Sequence, residues 1–383
     1  MPRNNKNKKS VWIFSAASFL NDLGSDMVFP LWPIFVTSIL GAPLSVLGLI
    51  DGLGEALVSI SQALSGYWSD KLKKKKVFIW LGYLFSGISR FGYGIASSWQ
   101  VLVPLKSLDR LGKIRGAPRD ALVANAVNKK KRGQAFGVLR TADNLGAVCG
   151  VILSIILIRF IGIRTIFLLA AIPSFLAMIL VIFLIKEKKT DKIFKGLKIK
   201  NMSGNLKLFI FVSGIFSLGL FSYSFLLLAA ENFGFTIYTL PILYLIISVV
   251  ATLSSLPFGR VADKLSRKSV LYIGYLMWAL ALILFIVFHT YWAVIIAFVA
   301  YGLHLGAVDP VQRAFVSELA PTGYRASTLG FFKMIVGIMA LPASLVAGIL
   351  WDNVNIYTPF YFALLLTGIA FLLLFFVKEK KNI

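Results

Sequence analysis

The chain has 383 residues, 58% of them apolar and 15% charged, whereas soluble domains run at roughly 45–50% apolar and about 25% charged. An ordinary soluble enzyme or binding module is excluded, and the one cysteine, Cys149, excludes a disulfide framework or a cysteine-based zinc or iron–sulfur site. The net charge of +24 would suit a nucleic-acid binder, but the Lys and Arg residues fall in short clusters between apolar runs, a membrane-topology pattern that excludes nucleic acid as a partner.

Apolar runs long enough to span a bilayer cover residues 11–40, 46–67, 77–96, 99–122, 135–158 and 165–185 in the first half. In the second half they cover 207–230, 237–258, 270–288, 291–315, 329–350 and 360–377. Twelve helices of roughly 20 residues take about 240 residues and leave little for a soluble domain. The short basic N-terminus runs into span 1 without a small-residue cleavage site, so no cleaved leader is expected. Span 4 is the least apolar, with Lys106, Asp109, Arg110, Lys113, Arg115, Arg119 and Asp120.

Alternate loops divide the positive charge unevenly. One side carries the N-terminal bases, Lys71 to Lys76, Lys129 to Arg132, Lys186 to Lys207, Arg260 to Lys268, Arg325 and the C-terminal lysines; the other carries Arg159 and Arg164. Both termini are therefore expected in the cytoplasm, with the protein in the cell's inner (cytoplasmic) membrane. The polar stretch 186–206 reads as a basic cytoplasmic linker between six-helix bundles at 1–185 and 207–383. An amphipathic surface helix is the second reading of that stretch.

The halves repeat. Gly66 and Gly259 differ by 193 positions, as do Asp70 and Asp263, Lys71 and Lys264, Trp99 and Trp292, Arg132 and Arg325, and Gly137 and Gly330. A register kept from the second span of each half to the fifth predicts two parallel repeats.

These residues resemble the major facilitator superfamily. Its signature between spans 2 and 3, G-x-x-x-D-[RK]-x-x-[RK]-[RK], stands here as Gly66 to Lys75 and again as Gly259 to Lys268. A prokaryotic subgroup with N-D-x-x-S-[DE]-M-x-x-P in span 1 is similar to Asn21–Pro30. Its P-R-D-A-L at span 4 is similar to Pro118–Leu122, with one residue fewer after Lys113 than the subgroup pattern. The resemblance implies an all-α membrane protein of twelve transmembrane helices in two six-helix repeats. It also implies that Gly66, Asp70, Lys71, Arg119, Gly259, Asp263 and Lys264 belong to the cytoplasmic gate. The glycines would permit close helix approach; the aspartates would sit at a helix N-terminus or pair with nearby bases.

Charge in hydrocarbon is costly, so each intramembrane ion is a functional candidate. Asp22 lies about 16 Å into span 1 at 1.5 Å per residue, with Asp26 one turn on; Glu55 is near mid-depth in span 2. Each of Asp22, Asp26 and Glu55 has two readings: a proton carrier, or a permanent partner of the bases on spans 4 and 5. Asn21, Lys106, Arg110, Lys113, Tyr223 and His304 are the candidate substrate contacts. A metal site is not expected, since His289 and His304 are the only histidines. Pro30, Pro33 and Pro118 are candidate bending points.

No nucleotide-binding motif, nucleophile–base pair or cofactor site is evident, so an enzyme is not expected. The expected function is a secondary active transporter of a small organic solute that works by alternating access as a monomer, coupled to protons, with export by antiport favoured. Import of an anionic or chelated solute such as a siderophore is the alternative. A non-transporting receptor or scaffold is the reading from another class.

Overall fold

The computed structural model describes residues 3–128, 131–185, 187, 202–321 and 325–379. The regular structure of the described residues is all helical, without strands, and each of the twelve expected spans coincides with a helical segment. Most of the possible surface helix in 186–206 lies outside the described residues, and 204–206 open α9.

Span 1 is α1 (Arg3–Val28), a 3-10 turn at Phe29–Leu31, α2 (Trp32–Ile34) and a π segment at Phe35–Ile39. The change of winding falls at Pro30 and Pro33, whose rings remove backbone donors. Then come α3 (Leu44–Lys71), α4 (Lys75–Ile95), α5 (Leu102–Leu111), a 3-10 turn at Gly112–Arg115, α6 (Gly116–Ala126), α7 (Arg132–Leu157) and α8 (Ile163–Leu184). Pro118 lies in the first turn of α6, where a missing N–H costs nothing.

The second half starts with span 7, broken into α9 (Gly204–Leu218) and α10 (Tyr223–Glu231). At the break Trp278 Nε1 donates to Gly219 O at 3.1 Å, and Ser222 Oγ caps α10 by accepting from Ser224 N at 3.2 Å. It continues through α11 (Leu240–Lys264), α12 (Arg267–Val287), α13 (Tyr291–Leu319), α14 (Arg325–Asn353) and α15 (Thr358–Leu374).

Two compact units result: Met1–Gly41 with Leu57–Phe194, and Ala42–Ala56 with Lys195–Ile383. In the first, α1 packs against α7 and α8, and α4 against α8. In the second, α9 packs against α14 and α15, and α12 against α15. These are the same pairings, first span with fifth and sixth and third with sixth, so the sequence repeat is also a repeat of packing. The first 13 residues of α3, up to Ala56, belong to the second unit, where Asp352 accepts from Leu44 N and Ser45 N at 3.1 and 2.8 Å.

A second repeat appears only in the structure. Glu187 accepts from Lys75 N and Lys76 N at 2.6 and 3.1 Å, the first donors of α4. Glu379 accepts from Arg267 N and Lys268 N at 2.7 and 3.2 Å, the first donors of α12, and from Ser266 Oγ at 2.6 Å. Each glutamate stands in a Lys-Glu-Lys-Lys run, at 186–189 and 378–381, offset by 192. The carboxylate satisfies N–H groups that have no intrahelical acceptor and sits at the positive end of the dipole. Each bundle is thereby clasped, the end of its sixth span tied to the start of its third.

Glu187→Ala and Glu379→Ala should each lower stability by about 1 kcal/mol, the usual cost of losing a cap. The matching Gln variants should lose less, since the carboxamide keeps one acceptor oxygen. Melting of the purified protein in detergent measures this, and Ala variants that melt with the native chain would refute the clasp.

Candidate functional site

Among the described residues eight helices are long and apolar enough to cross a membrane unaided, and Thr358–Leu374 is apolar but shorter. The segments outside that set are spans 1, 3 and 4. These three carry most of the buried charges of the first unit: Asp26 on α1, Lys75 and Arg90 on α4, and Lys106, Asp109, Arg110, Arg115 and Arg119 on span 4, with Asp143 on α7 outside them and Asp22 on α1 half-buried. The hydropathy shortfall therefore marks the candidate site.

Arg90, which the charge patterning of the sequence does not single out, is at its centre. Its Nη2 lies 3.9 Å from Asp109 Oδ1, and it donates to Asn21 O at 3.0 Å, to Ser25 Oγ at 2.5 Å and to Ser174 Oγ. Asn21 is fully buried, and its Nδ2 donates to Asp22 Oδ1 at 3.0 Å. Asp22 is half-buried and interacts electrostatically with Arg90, Lys113 and Arg119. Asp26 is buried one turn further along.

The bases of span 4 separate into three settings. Lys106 Nζ stands 3.6 Å from the Trp32 ring centroid, and the Arg110 guanidinium 5.0 Å from that of Phe29, so both meet aromatic faces. Half-buried Lys113 shares its field with Asp22, Asp109 and Arg110. Arg119 Nη1 pairs with Asp143 Oδ1 at 3.5 Å and donates to Ser18 Oγ, and its Nε meets Asp120 Oδ1 at 3.1 Å. Arg140 closes that group, 3.0 Å from Asp143 and 3.4 Å from Asp120. Arg119 thus lies among acids of spans 4 and 5 and a hydroxyl of span 1.

The missing residue after Lys113 coincides with the 3-10 turn at Gly112–Arg115. A 3-10 helix turns about 120° and rises about 2.0 Å per residue, against about 100° and about 1.5 Å in an α-helix. Over the turn's 4 residues the excess is about 80° and about 2 Å, close to the rotation and rise that one lost α-helical residue removes. The tight winding returns Arg119 nearly to the phase, relative to Arg110, of a longer continuous helix. Arg115 braces the turn, donating to Gly112 O at 2.8 Å and to Ser86 Oγ at 3.3 Å.

Glu55, Tyr223 and His304 belong to the second unit. Glu55 is exposed and interacts electrostatically with Tyr301; Asp51, one turn earlier, accepts from Ser222 Oγ at 2.7 Å and Ser224 Oγ at 2.6 Å. The Tyr223 ring lies 5.1 Å from that of Tyr244. His304 is buried, its Nδ1 2.8 Å from Gly274 O, among the rings of Phe216, Trp278 and Tyr301. Its Nε2 has no hydrogen-bond partner among the described residues.

The gate glycines correct an expectation, while Asp263 takes the second of its two expected settings, pairing with a base. Gly66 and Gly259 stand inside α3 and α11 rather than in loops. A Cβ at Gly66 would meet Ala117 Cβ at an ordinary 3.6 Å, and one at Gly259 would meet nothing within 4 Å, so close helix approach is not what they supply. Asp263 lies in the last turn of α11, the unfavourable end of the dipole for an anion. There it pairs with Arg267 Nη2 at 3.4 Å, and Arg267 Nε also meets Glu318 Oε2 at 2.6 Å. Carboxylates that meet the first N–H groups of a helix are Glu187, Asp352 and Glu379. Lys71 Nζ lies 5.8 and 5.6 Å from the rings of Tyr67 and Trp68, and Lys264 is exposed. Asp70 stands in the last turn of α3; its side chain lies outside the described residues.

Residues 14–251 and 208–383 match the family profile of the Major Facilitator Superfamily. The chain is 38% identical over 393 residues to an uncharacterized MFS-type transporter of Methanocaldococcus jannaschii, covering 98% of each. It is 24% identical over 404 residues to Multidrug resistance protein 2 of Bacillus subtilis, covering 100% of this chain and 98% of that one. Among solved structures, a POT family transporter in complex with 5-aminolevulinic acid superposes with a TM-score of 0.78 at 15% identity, over 96% of this chain and 95% of that one, a likeness of fold.

The compensated turn makes a paired test. A glycine inserted after Lys113 should be absorbed by return to α winding, costing under about 1 kcal/mol of the stability that a cavity or lost pair would consume. The same insertion after Ala117 turns Arg119 away from Asp143 and Ser18 and should cost about 3–5 kcal/mol, as breaking a buried pair does. Folded yield and melting temperature of the two variants report the difference; equal losses would rule out phase compensation.

Proposed function

The chain belongs to the Major Facilitator Superfamily, and we propose that it moves a small organic solute out of the cell in exchange for protons. Secondary transport across a membrane is its activity; the proton, the direction and the solute are what is proposed. The observation that carries the coupling is Asp22, a half-buried carboxylate held by Asn21 within the field of Arg90, Lys113 and Arg119. Burial disfavours the charged form of a carboxyl group and a nearby cation favours it. A conformational change that moves one of those bases would swing its proton affinity, and one pK unit is about 1.4 kcal/mol. Asp26 and Glu55 are the second candidates.

Export is supported by the likeness to Multidrug resistance protein 2 of Bacillus subtilis. The buried cations of Lys106 and Arg110, set against Trp32 and Phe29, favour an amphiphilic solute with an anionic or zwitterionic group. Asn21, Lys113, Tyr223 and His304 complete the proposed contacts. The motif residues from Gly66 to Lys71 and from Gly259 to Lys264, with Arg119, form the proposed cytoplasmic gate. The two repeats, 1–185 and 207–383 about a basic linker at 186–206, would alternate access in a monomer of the cell's inner membrane, with both termini cytoplasmic.

Topology is checked by labelling single cysteines in a Cys149→Ser background. Phe160→Cys should react with an impermeant reagent from outside intact cells and Leu72→Cys only after lysis, both side chains being exposed. The reverse pattern overturns the orientation.

Coupling is checked in proteoliposomes. Asp22→Asn should abolish gradient-driven accumulation yet keep exchange at equal concentrations, because exchange needs no net proton movement. Loss of both activities with the fold intact would favour the structural reading. Accumulation at the native proton ratio would pass the role to Asp26 or Glu55. Accumulation of solute only in the inward sense marks an importer, and binding without either flux a receptor or scaffold.

A further inference from the structure

The Arg90 side chain is 2% exposed and touches α1 at two residues one turn apart. Nη1 meets the main-chain oxygen of Asn21 at 3.0 Å, while Nη2 meets Ser25 Oγ at 2.5 Å and Asn21 Oδ1 at 3.5 Å. Ser174 Oγ on α8 and Asp109 on α5 hold it from the other sides. Room for it depends on Gly24, where a Cβ would lie 2.7 Å from Arg90 Nη1 and 2.4 Å from Ala170 O.

A carboxamide has one accepting and one donating end. With Oδ1 turned to Arg90, the Asn21 amide is left with Nδ2 toward Asp22, and it meets Oδ1 of that carboxyl at 3.0 Å. We propose that Arg90 is a positioning residue for Asp22, fixing the Asn21 carboxamide so that an N–H and not a C=O meets the carboxyl group. This rests on the reading of Asp22 as the coupling residue. An N–H donor favours the ionised carboxylate, whereas a flipped amide would present lone pairs and favour the protonated acid, which can donate to them. The orientation of one side chain thus decides which protonation state is received.

The other groups facing Asp22 are Tyr83 on α4, Lys113 on the 3-10 turn, Arg119 on α6 and Asp143 on α7, with Asp26 on its own helix. Their charges act whichever way Asn21 points. Lysine at position 90 would keep the positive charge but lose the planar fork that holds Asn21, Ser25 and Ser174 together, so Arg90→Lys separates orientation from charge.

The test is pH-difference infrared spectroscopy of the reconstituted protein, with the protonated-carboxyl band of Asp22 assigned by its disappearance in Asp22→Asn. Arg90→Lys and Asn21→Ala should each bring that band in at about tenfold lower proton concentration, the scale of one hydrogen bond to a carboxylate. The double variant should move it no further than Asn21→Ala alone, because Arg90 acts through Asn21. A native band position in Arg90→Lys, or a double shift equal to the sum of the singles, overturns the proposal. Where Arg90→Lys does not fold, Ser174→Ala loosens the guanidinium from α8; it should shift the band the same way by a smaller factor, and an unmoved band overturns the proposal too. Gradient-driven transport in the same vesicles tests the underlying reading separately. A shifted band with a native proton dependence of transport removes the coupling role of Asp22 and leaves the positioning intact; an unshifted band with altered transport removes the positioning.

Discussion

Arg90 stands in a span that passes through hydrocarbon, where a guanidinium without partners costs at least several kcal/mol. Its contacts fix much of the first unit. Asn21 and Ser25 come from α1, Asp109 from α5 and Ser174 from α8, so four spans are joined by one cation. Replacing that cluster with apolar side chains could give an equally stable bundle, as happens with other buried ion pairs.

The second unit handles polarity differently. Asp51 is met by two serine hydroxyls, and His304 is enclosed by rings. The two halves share packing and the glutamate clasps at their third helices, but not the ionic core. The repeat therefore preserves the scaffold while the chemistry has become lopsided, with the dense charge kept in the first unit.

Much of this was legible in the sequence because it is periodic. Hydropathy located all twelve spans, and one fixed offset related the halves. Asp22, Lys113 and Arg119 stood out as charges in apolar surroundings, and they do share a field. Arg90 escaped because one charge in an otherwise apolar span reads as a tolerated exception; its importance lies in partners drawn from helices up to 84 positions away. The clasps escaped because Glu187 and Glu379 sit among lysines that read as a solvated charge run, and at an offset of 192 rather than 193. Gly66 and Gly259 are helical because α3 and α11 continue over the first six residues of the motif, to Lys71 and Lys264, before the turn. The winding of Gly112–Arg115 was hidden for a simpler reason: residue spacing along a chain does not specify the pitch of the helix.

The order in which these partners are synthesised has its own consequence. Asn21 leaves the ribosome 69 residues before Arg90, and Ser174 follows 84 residues after that. At about 5–20 residues per second the acidic face of span 1 waits roughly 3–14 s for its cation, and the cation then waits roughly 4–17 s for its last acceptor. During those intervals spans 1, 3 and 4, the least apolar of the first unit, have to be held at the membrane with their charges still hydrated or borrowed by lipid headgroups. Biogenesis of this half is thus a race between helix delivery and the expulsion of poorly apolar segments, and the insertion machinery must keep span 1 beside the later helices until the sixth has arrived.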